Sequence, residues 1–473
     1  MKSSIWTNAK SWPIFCGNNG GHGLKQLSIQ EIVRATGGTA SLDGTVRDVC
    51  IDNRAVTDGC LFVCIAGERF DGHDFAADAL RRGAAAVLCA HSVGTDRQIL
   101  VPDTRRALLD LARYYRGLFS IPVAAVTGSV GKTTVKEMTA AAFSAKYRTL
   151  KTEGNLNNEI GLPRTLFRLE EDTEAAVIEM GMNHFGEISR LSKTALPTMG
   201  VIGNIGVSHI ENLGSQANIL RAKLEILDGM AEDAPLILNG DDPLLYGAKI
   251  TDRPVYYYGV DNKFCRFKAY DIENRPAGVS FTLDFGCGEQ RVDLPAMGKH
   301  NIYNALAAFT AAFLISVEPQ AAADALAKYT PAGMRQRMRR AGDVTFIEDC
   351  YNASPDSVRA AFATLRDVRA KRRIAVLGDM LELGSVSDAA HRESGRLAAQ
   401  NADVLLTFGA QSEKTAQTAV ENGMRDVRHF DDKRALAEEL LRRLQADDAV
   451  LVKGSRGMKL EEVLQTVYEE LGV

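Results

Sequence analysis

A glycine-rich turn followed by lysine and threonine carries the clearest chemistry of this chain, within the segment Pro122–Thr139 (PVAAVTGSVGKTTVKEMT). The residues before the turn, Val123–Thr127, indicate a buried β-strand, and those after it carry apolar side chains at helical spacing. Together these features predict a phosphate-binding P-loop, in which backbone N–H groups and a helix N-terminus surround phosphate oxygens. The expected nucleotide contacts are Thr127, Gly128, Ser129, Val130, Gly131, Lys132, Thr133 and Thr134.

Lysine and hydroxyl groups at such a turn have separate tasks. Lys132 would balance phosphate charge, and the Thr133 hydroxyl would bind Mg²⁺. A further apolar run, Ala175–Met180, indicates another buried strand, at whose end stands Glu179. Because the carboxyl ends of parallel strands meet at one edge of a sheet, we expect Glu179 to reach the Mg²⁺ held by Thr133. One departure from the strict P-loop pattern is Val126, where that pattern has glycine.

Two further polar residues of this region have ordinary interpretations on residue type alone. His209 follows the apolar strand Met199–Ile205, where a single histidine is usually a capping or packing residue. Lys223 lies in an amphipathic helix predicted over Ser215–Met230, beside its apolar stripe, where a surface lysine at the stripe's edge is the default.

Polar clusters also follow strands elsewhere. Asn155, Asn157 and Asn158 lie close together, and their amides suit turns or the recognition of sugars and carboxylates. Near the N-terminus, the segments 51–54 and 67–75 could hold a phosphorylated ligand. The alternative for these two segments is a pair of solvated turns, in which Gly72 permits an unusual backbone angle.

Length and composition limit the class of protein. A chain of 473 residues is too long for one core and predicts about three domains. A net charge of −4 gives no reason to expect nucleic acid or an anionic membrane as partner, and no apolar run reaches the length of a membrane span. The start lacks a secretion-signal pattern. Eight cysteines without metal-ligand spacing indicate buried free thiols in a reducing cytoplasm.

The elements that must position these residues form an α/β protein of three domains. We expect a small N-terminal α/β domain, a central P-loop ATPase-type doubly wound sheet with antiparallel strands over 251–295, and a C-terminal Rossmann-like α/β domain. In the last domain, predicted strand-end loops carry Asp349, Asn352, Asp379, Glu382, Lys453 and Arg456, so it should face a ligand. The predicted boundaries are a poorly ordered extension 1–26, then 27–120, 121–329 and 330–473.

Nine motifs in one order link these segments to a known family. TGSVGKTT, EGNLNNEIG, IEMGMNHFGEI, IGNIGVSHIENLGS, RAKLEI, GKHNIYNALAA, DCYNASPDS, LGDMLELG and LVKGSRG resemble the Mur ligase family over about Leu27 to the C-terminus. YNASP and GDMLELG resemble the branch that adds D-alanyl-D-alanine. The Asp-Asn-Pro-Arg stretch usual in the diaminopimelate- and lysine-adding branch is missing.

The resemblance implies an ATP-dependent ligase that adds D-alanyl-D-alanine to UDP-N-acetylmuramoyl-tripeptide through an acyl phosphate. It implies Lys132, Glu179, His209 and Lys223 as catalytic residues, with Lys223 as a carbamate. Two Mg²⁺ ions are expected, with ligands among Thr133, Glu179, His209 and carbamylated Lys223. ATP would also contact Asn301, Arg335 and Asp349. The nucleotide-sugar peptide would contact Asp52, Arg54, Gly72, His73, Asp74, Phe75, Asn155, Asn157, Asn158, Asn183, His184 and Asn352.

Other functions are weighed against this one. A sibling Mur ligase or a folylpolyglutamate synthase would use the same chemistry to add a single amino acid. A non-catalytic ATP-binding paralogue would be expected to lack at least one of Lys132, Glu179, His209 and Lys223, and all four are present. We expect a cytoplasmic monomer of the cell-wall precursor pathway, with no nucleic-acid or membrane partner.

Overall fold

The structure of this chain is a computed structural model that describes residues 24–275, 278–331 and 333–473. The expected extension 1–26 therefore lies almost wholly outside the described residues. Two units are distinguished, one formed by residues up to Ile121 with Thr152–Thr173 and Lys193–Leu196, and the other by the rest. No helix among the described residues is long and apolar enough to cross a membrane.

The first unit contains a four-stranded parallel sheet and a two-stranded antiparallel sheet. Its strands are β1 (Leu27–Ser28), β2 (Thr45–Val46), β3 (Asp48–Cys50), β4 (Cys60–Val63), β5 (Ala86–Cys89) and β6 (Gln98–Leu100). Its helices include α1 (Ile29–Thr36), α2 (Ala76–Arg81) and α3 (Thr104–Gly117). β3 to β6 pair in parallel in chain order, and β1 pairs with β2 antiparallel. Single 3₁₀ turns follow β3 and β4, at Asn53–Ala55 and Gly72–Phe75.

The P-loop strand lies inside a nine-stranded sheet of the second unit. The strands are β7 (Val123–Thr127), β8 (Thr149–Lys151), β9 (Ala175–Glu179), β10 (Met199–Ile202), β11 (Leu236–Asn239), β12 (Val255–Gly259), β13 (Phe267–Arg275), β14 (Gly278–Asp284) and β15 (Glu289–Leu294). Their order is β15-β14-β13-β12-β11-β10-β7-β9-β8. The apolar run predicted a buried strand, and all five residues of β7 are buried, as in a parallel strand that is covered on both faces.

The prediction of antiparallel strands over 251–295 is only partly right. β13, β14 and β15 pair antiparallel, but β12 pairs in parallel with both β11 and β13. β12 thus continues the parallel sheet, and the meander begins one strand later. Alternation of apolar and polar residues reports which faces are buried and carries no information on strand direction.

The helices between residues 132 and 326 lie between these strands along the chain or follow the last of them. They are α4 (Lys132–Ser144), α5 (Gly161–Leu166), α6 (Glu187–Ala195), α7 (Ile210–Leu213), α8 (Gln216–Leu224), α9 (Pro243–Gly247), α10 (Lys299–Leu314) and α11 (Pro319–Leu326). Residues of α5 belong to the first unit. The alanine-rich α10 packs against α4, because its small side chains permit close approach of the two helix axes.

A second sheet forms the C-terminal part of the chain. Its strands are β16 (Arg337–Ala341), β17 (Val344–Asp349), β18 (Arg372–Gly378), β19 (Val404–Phe408), β20 (Val427–Phe430) and β21 (Asp448–Lys453), in the order β16-β17-β21-β18-β19-β20. Its helices are α12 (Pro355–Asp367), α13 (Ser387–Asn401), α14 (Ser412–Glu421), α15 (Lys433–Arg443) and α16 (Glu461–Leu471). Apart from the antiparallel edge strand β16, all pairs are parallel. The predicted Rossmann-like sheet is confirmed.

Candidate functional site

The P-loop turn connects β7 to α4 with the geometry that phosphate binding requires. Gly131 precedes the first helical residue with φ of 83°, a left-handed conformation that favours glycine. A Cβ atom there would lie 3.0 Å from Asn304 Oδ1. Lys132 Nζ curls back over the turn and donates a hydrogen bond of 2.9 Å to Gly128 O. Burial lowers the pKa of Lys132, so this cation lies in a poorly solvated position where an anion is favoured.

Thr133 and Glu179 meet at the carboxyl edge of the sheet. The Thr133 hydroxyl donates a hydrogen bond of 2.9 Å to Glu179 Oε2, and both residues are buried. The parallel pairing of β7 with β9 aligns Val126 with Glu179, which accounts for the meeting. The structure therefore brings together the two oxygen ligands that the sequence proposed for one Mg²⁺.

The loop after β10 braces the P-loop. Asn204 exchanges two hydrogen bonds with the backbone of Val130, at 2.9 Å from Val130 N to Oδ1 and 2.8 Å from Nδ2 to Val130 O. The Gly206 N–H donates to Ser129 Oγ over 2.9 Å. Asn204 was not among the predicted site residues, and only the tertiary structure reveals its role.

His209 ends this loop in a left-handed conformation, with φ of 63°. Histidine rarely adopts this conformation, so the surrounding structure must hold it there. Its Nδ1 atom is buried and has no hydrogen-bond partner among the described residues. Glu382 Oε2, in the loop after β18 of the C-terminal sheet, lies 3.5 Å from this Nδ1 atom. The buried Nδ1 atom of His209 therefore faces a carboxylate at ion-pair distance.

Lys223 lies on α8, and its burial differs from what its residue type predicts. The expectation of a surface lysine at the edge of an apolar stripe is wrong, because only 1% of the residue is exposed. Burial, together with the nearby charge of Lys132, lowers the pKa of Lys223 well below its usual value. The predicted helix Ser215–Met230 is α8 followed by a 3₁₀ stretch, Glu225–Gly229. Lys223 is therefore a buried amine with a lowered pKa, close to the P-loop lysine.

The C-terminal sheet presents a second polar group of residues. β17 and β21 are in register at Asp349 and Lys453, and Lys453 Nζ donates to Asp349 Oδ2 over 2.7 Å. Burial raises the pKa of Asp349 even though this lysine opposes the shift. Lys453 also donates to the backbone carbonyl of Asn352 over 3.0 Å. The Arg335 guanidinium lies 3.8 Å from the centre of the Tyr351 ring.

Asn301 and its neighbours on α10 lie near the P-loop turn. Asn301 is buried and donates to Met297 O over 2.7 Å, while Asn304 donates to Asn301 Oδ1 over 3.1 Å. Asn304 is also the residue that faces Gly131. The ring of His300 precedes Asn301, and burial lowers its pKa to about 4. α10 therefore connects the predicted adenine contact to the phosphate turn.

Two predicted substrate residues follow β9. The Asn183 N–H donates a hydrogen bond of 2.6 Å to Glu187 Oε2. His184 is exposed, and its Nδ1 lies 3.3 Å from Glu187 Oε1. Glu187, the first residue of α6, thus orders the segment that carries both residues.

In the first unit, Asp52 and Arg54 pair with each other. Arg54 donates to both carboxylate oxygens, from Nε over 2.9 Å and from a terminal nitrogen over 2.7 Å. The hydrogen bond from Arg54 lowers the pKa of Asp52. The Arg54 side chain is 62% exposed and the Asp52 side chain 41% exposed, so both groups are accessible to a ligand.

The turn Gly72–Phe75 corrects one interpretation. Gly72 does not have a positive φ angle; instead its Cα lies so close to the backbone of Ile65 that a Cβ would come within 2.5 Å of Ile65 N. His73 is buried and fully engaged, with Nδ1 2.5 Å from Asp71 Oδ1 and Nε2 accepting the Ala90 N–H over 2.9 Å. Asp74 is exposed, whereas Phe75 is half-buried and packs against the hydrophobic core of the first unit.

The three asparagines of the segment 155–158 also belong to the first unit. Asn158 Oδ1 accepts the N–H of Gly161, the first residue of α5, over 2.8 Å and so orders the turn before this helix. Asn155 is exposed and Asn157 half-buried. The turn role that amides suit is thus observed for Asn158.

Comparison with known proteins gives a consistent result. The family models described as "Mur ligase middle domain", "Mur ligase, glutamate ligase domain" and "Mur ligase family, catalytic domain" match residues 126–312, 334–456 and 45–116. A relative from Bacillus subtilis (strain 168), named UDP-N-acetylmuramoyl-tripeptide–D-alanyl-D-alanine ligase, is 39% identical over 451 residues, which cover 93% of this chain and 98% of the relative.

Solved structures give the same picture. A crystal structure of MurF from Acinetobacter baumannii matches with a TM-score of 0.88 and 30% identity, over 94% of this chain and 100% of that one. The MurF ligase of Thermotoga maritima in complex with ADP matches with a TM-score of 0.82 and 30% identity, over 90% of this chain and 98% of that one.

Proposed function

Because the chain belongs to the Mur ligase family, we propose that it is an ATP-dependent amide ligase that joins D-alanyl-D-alanine to UDP-N-acetylmuramoyl-tripeptide. The observation that carries this proposal is the convergence of Lys132, Thr133, Glu179 and Lys223 at one edge of the central sheet. The product would serve peptidoglycan synthesis.

The reaction divides into two transfers. The terminal carboxylate of the tripeptide attacks the γ-phosphorus of ATP, which forms an acyl phosphate and releases ADP. The amine of D-alanyl-D-alanine then attacks the acyl carbon, loses a proton, and expels inorganic phosphate. Catalysis of phosphoryl transfer consists largely of positioning and charge stabilisation, so this site needs no protein nucleophile. Lys132 and the backbone N–H groups of the turn supply positive charge to the phosphoryl oxygens.

Residues around the P-loop fit a divalent cation. Mg²⁺ prefers oxygen ligands and keeps several waters or phosphate oxygens, so a few protein ligands suffice. No cluster of three or more histidine, cysteine or acidic side chains that could hold a metal occurs in the described part of the chain. Thr133 and Glu179 would hold one ion, and the His209 ring would contribute a ligand to a second. Such ions neutralise the charge that develops on transferring oxygens.

Lys223 fits carbamylation. Nucleophilic attack on CO₂ requires a neutral amine, and burial with Lys132 nearby lowers its pKa in that direction. The Nζ atom forms a bond to the carbon of CO₂ and releases a proton, which leaves an anionic carbamate. This anion would offset the charge of Lys132 and add an oxygen ligand for Mg²⁺ beside Glu179 and His209.

The remaining site residues are assigned to the ends of the two substrates. Asn301 would lie at the adenine, while Arg335 and Asp349 would contact phosphate and ribose. Asp52 and Arg54, with the loop of Gly72, His73, Asp74 and Phe75, would bind the UDP end. The positions Asn155, Asn157, Asn158, Asn183, His184 and Asn352 would contact the muramoyl-peptide portion. For His73, whose ring is engaged, this contact would come through its backbone.

Three wider assignments belong to the same proposal. Domain boundaries near residues 120 and 330 divide substrate binding, ATP binding and the C-terminal ligase function, with 1–26 as an extension. The reaction takes place in the cytoplasm, where ATP is available. The enzyme acts as a monomer.

The test is phosphate release from ATP and Mg²⁺ with UDP-N-acetylmuramoyl-tripeptide, with D-alanyl-D-alanine or single amino acids added in turn. Release that depends on the dipeptide is the expected result. Release with a single amino acid would transfer the protein to a sibling ligase or to folylpolyglutamate synthase chemistry. If the protein still binds ATP but releases no phosphate with any of the amines, it is the non-catalytic paralogue.

A further inference from the structure

The segment 203–207, between β10 and His209, is held at almost every residue from within the central sheet. The Gly203 N–H donates to Thr127 O over 3.1 Å, and the Ile205 N–H donates to Asp242 Oδ2 over 2.7 Å. Asn204 and Gly206 contact the P-loop as described above. Since this segment both contacts the P-loop and precedes His209, its position sets the geometry of the P-loop turn and of His209.

The next residue along, Val207, has a different kind of partner. Its N–H donates to Asp356 Oδ2 over 3.2 Å, and Asp356 belongs to α12 of the C-terminal sheet. Gly206 lies so close to the same oxygen that a Cβ there would collide with it. The other carboxylate oxygen of Asp356 lies 3.3 Å from an Arg359 nitrogen. Asp356 therefore reaches across from one sheet to the brace of the other.

A second contact supports the same connection. Glu382 approaches His209 from the C-terminal side, and Gly384 packs against the side chain of Glu211. Contacts from the C-terminal sheet thus meet the loop at Val207, His209 and Glu211. Of these, Asp356 alone accepts a hydrogen bond from a backbone N–H of the loop among the described residues.

We propose that Asp356 is a positioning residue of the ligase reaction, which couples the C-terminal sheet to the P-loop through Val207, Gly206 and Ser129. This inference rests on the proposed function. Asp356 touches no reacting atom in this scheme. By accepting the Val207 N–H, Asp356 keeps Gly206 against Ser129 and keeps His209 in its left-handed conformation. Both positions matter most in the transition state of phosphoryl transfer.

A competing explanation is that Asp356 stabilises only its own helix. Asp356 lies in the first turn of α12, where a negative charge favours the helix N-terminus. That role depends on charge and ends within the helix. A role through Val207 depends on an acceptor oxygen and extends into the central sheet.

The experiment compares Asp356→Ala, Asp356→Asn and the control Asp367→Ala, an exposed acid at the other end of the same helix. Asp356→Ala should lower kcat by about 10- to 100-fold while the KM for ATP changes by less than about 2-fold. Asp356→Asn keeps an acceptor oxygen and should stay within about 3-fold of the unaltered protein. Asp367→Ala should match the unaltered protein.

Hydrogen exchange supplies a second readout that does not need turnover. In Asp356→Ala, backbone amides of the peptides that cover 128–133 and 203–209 should exchange faster, and Asp356→Asn should restore their protection. Faster exchange confined to α12, unchanged kcat in Asp356→Ala, or equal loss of activity in folded Asp356→Asn would each overturn the proposal. If the unaltered protein showed no dipeptide-dependent phosphate release, the proposed function would fail, and exchange would still decide on the coupling.

Discussion

The P-loop region and the polar loops of the first unit both follow strands, yet their charged groups are arranged in opposite ways. Around the P-loop, Glu179 and Lys223 are 2% and 1% exposed, and Lys132 is held by carbonyl groups rather than by a carboxylate. In the first unit, the partly exposed Arg54 and Asp52 side chains form an ion pair. One region buries ionisable groups at an energetic cost, and the other pairs exposed opposite charges at little cost.

The difference separates two kinds of binding. Burial of ionisable groups is costly unless a ligand or partner compensates them, and residues with such shifted pKa values are often found at sites of chemistry. An exposed pair contributes little to stability, about 0–1 kcal/mol, and can exchange its partner for a phosphate without much loss. We therefore expect substitutions near the P-loop to affect turnover and substitutions in the first unit to affect substrate binding.

Removal of the P-loop lysine should give the largest effect. Lys132→Ala leaves the γ-phosphate without its cation, and kcat should fall by about 1,000-fold or more, measured as dipeptide-dependent phosphate release. Lys146→Ala, an exposed lysine just beyond the end of α4, serves as the control and should keep full activity. Normal turnover by folded Lys132→Ala would contradict the assignment of this turn as a P-loop.

Lys223 tests the functional meaning of burial. Lys223→Ala should be inactive, by about 100-fold or more, and partly rescued by a short-chain carboxylate that replaces the carbamate. Arg221→Ala, an exposed residue of the same helix, should remain active. Full activity of Lys223→Ala without any additive would rule out the carbamate role.

The same residue should also show a trade-off between stability and function. Because the folded state lowers the pKa of Lys223 below 10.5, the unfolded chain binds more protons between the two values, and stability rises with pH there. In protein freed of metal and bicarbonate, Lys223→Met should therefore raise the unfolding temperature by about 2 °C at pH 7. This gain should shrink as the pH approaches 10.5. A gain that grows with pH would contradict the lowered pKa of the buried Lys223 amine.

The exposed pair of the first unit should respond differently. Arg54→Ala should raise the KM for UDP-N-acetylmuramoyl-tripeptide by about 10-fold, with kcat and the KM for ATP within about 2-fold, because it removes a ground-state contact. The control is Arg81→Ala, which removes an equally exposed arginine paired with Asp78 on α2. If both variants raised the KM alike, general charge rather than a specific contact would be responsible.

The smallest effect on chemistry is expected at Gly72. Gly72→Ala forces a methyl group against the Ile65 backbone and should destabilise the first unit by about 1–3 kcal/mol, seen in thermal unfolding. Gly117→Ala is the matched control, since nothing lies within 4 Å of its added Cβ atom and its φ angle is negative. Equal stability of the two variants would show that the loop can move away from Ile65.

Much of the fold follows from local pattern. β7, β9 and the C-terminal alternation of strands and helices agree with the prediction because their apolar runs and glycine turns are short-range signals. The same reasoning misjudged β12, since alternation does not report strand direction. It also missed Asn204, whose partner Val130 is 74 residues away, and Asp356, whose partner Val207 is 149 residues away.

The sequence by itself determined the P-loop and its lysine, because strand, turn and helix are contiguous and the turn's chemistry depends on a few adjacent residues. It also determined membership in the ligase family, through motifs in a constant order. Only the tertiary structure decided that Lys223 is buried, that Gly72 avoids a collision, and that Asp356 meets Val207. The reason is physical, since desolvation, close approach and long-range hydrogen bonds arise only when distant elements pack together.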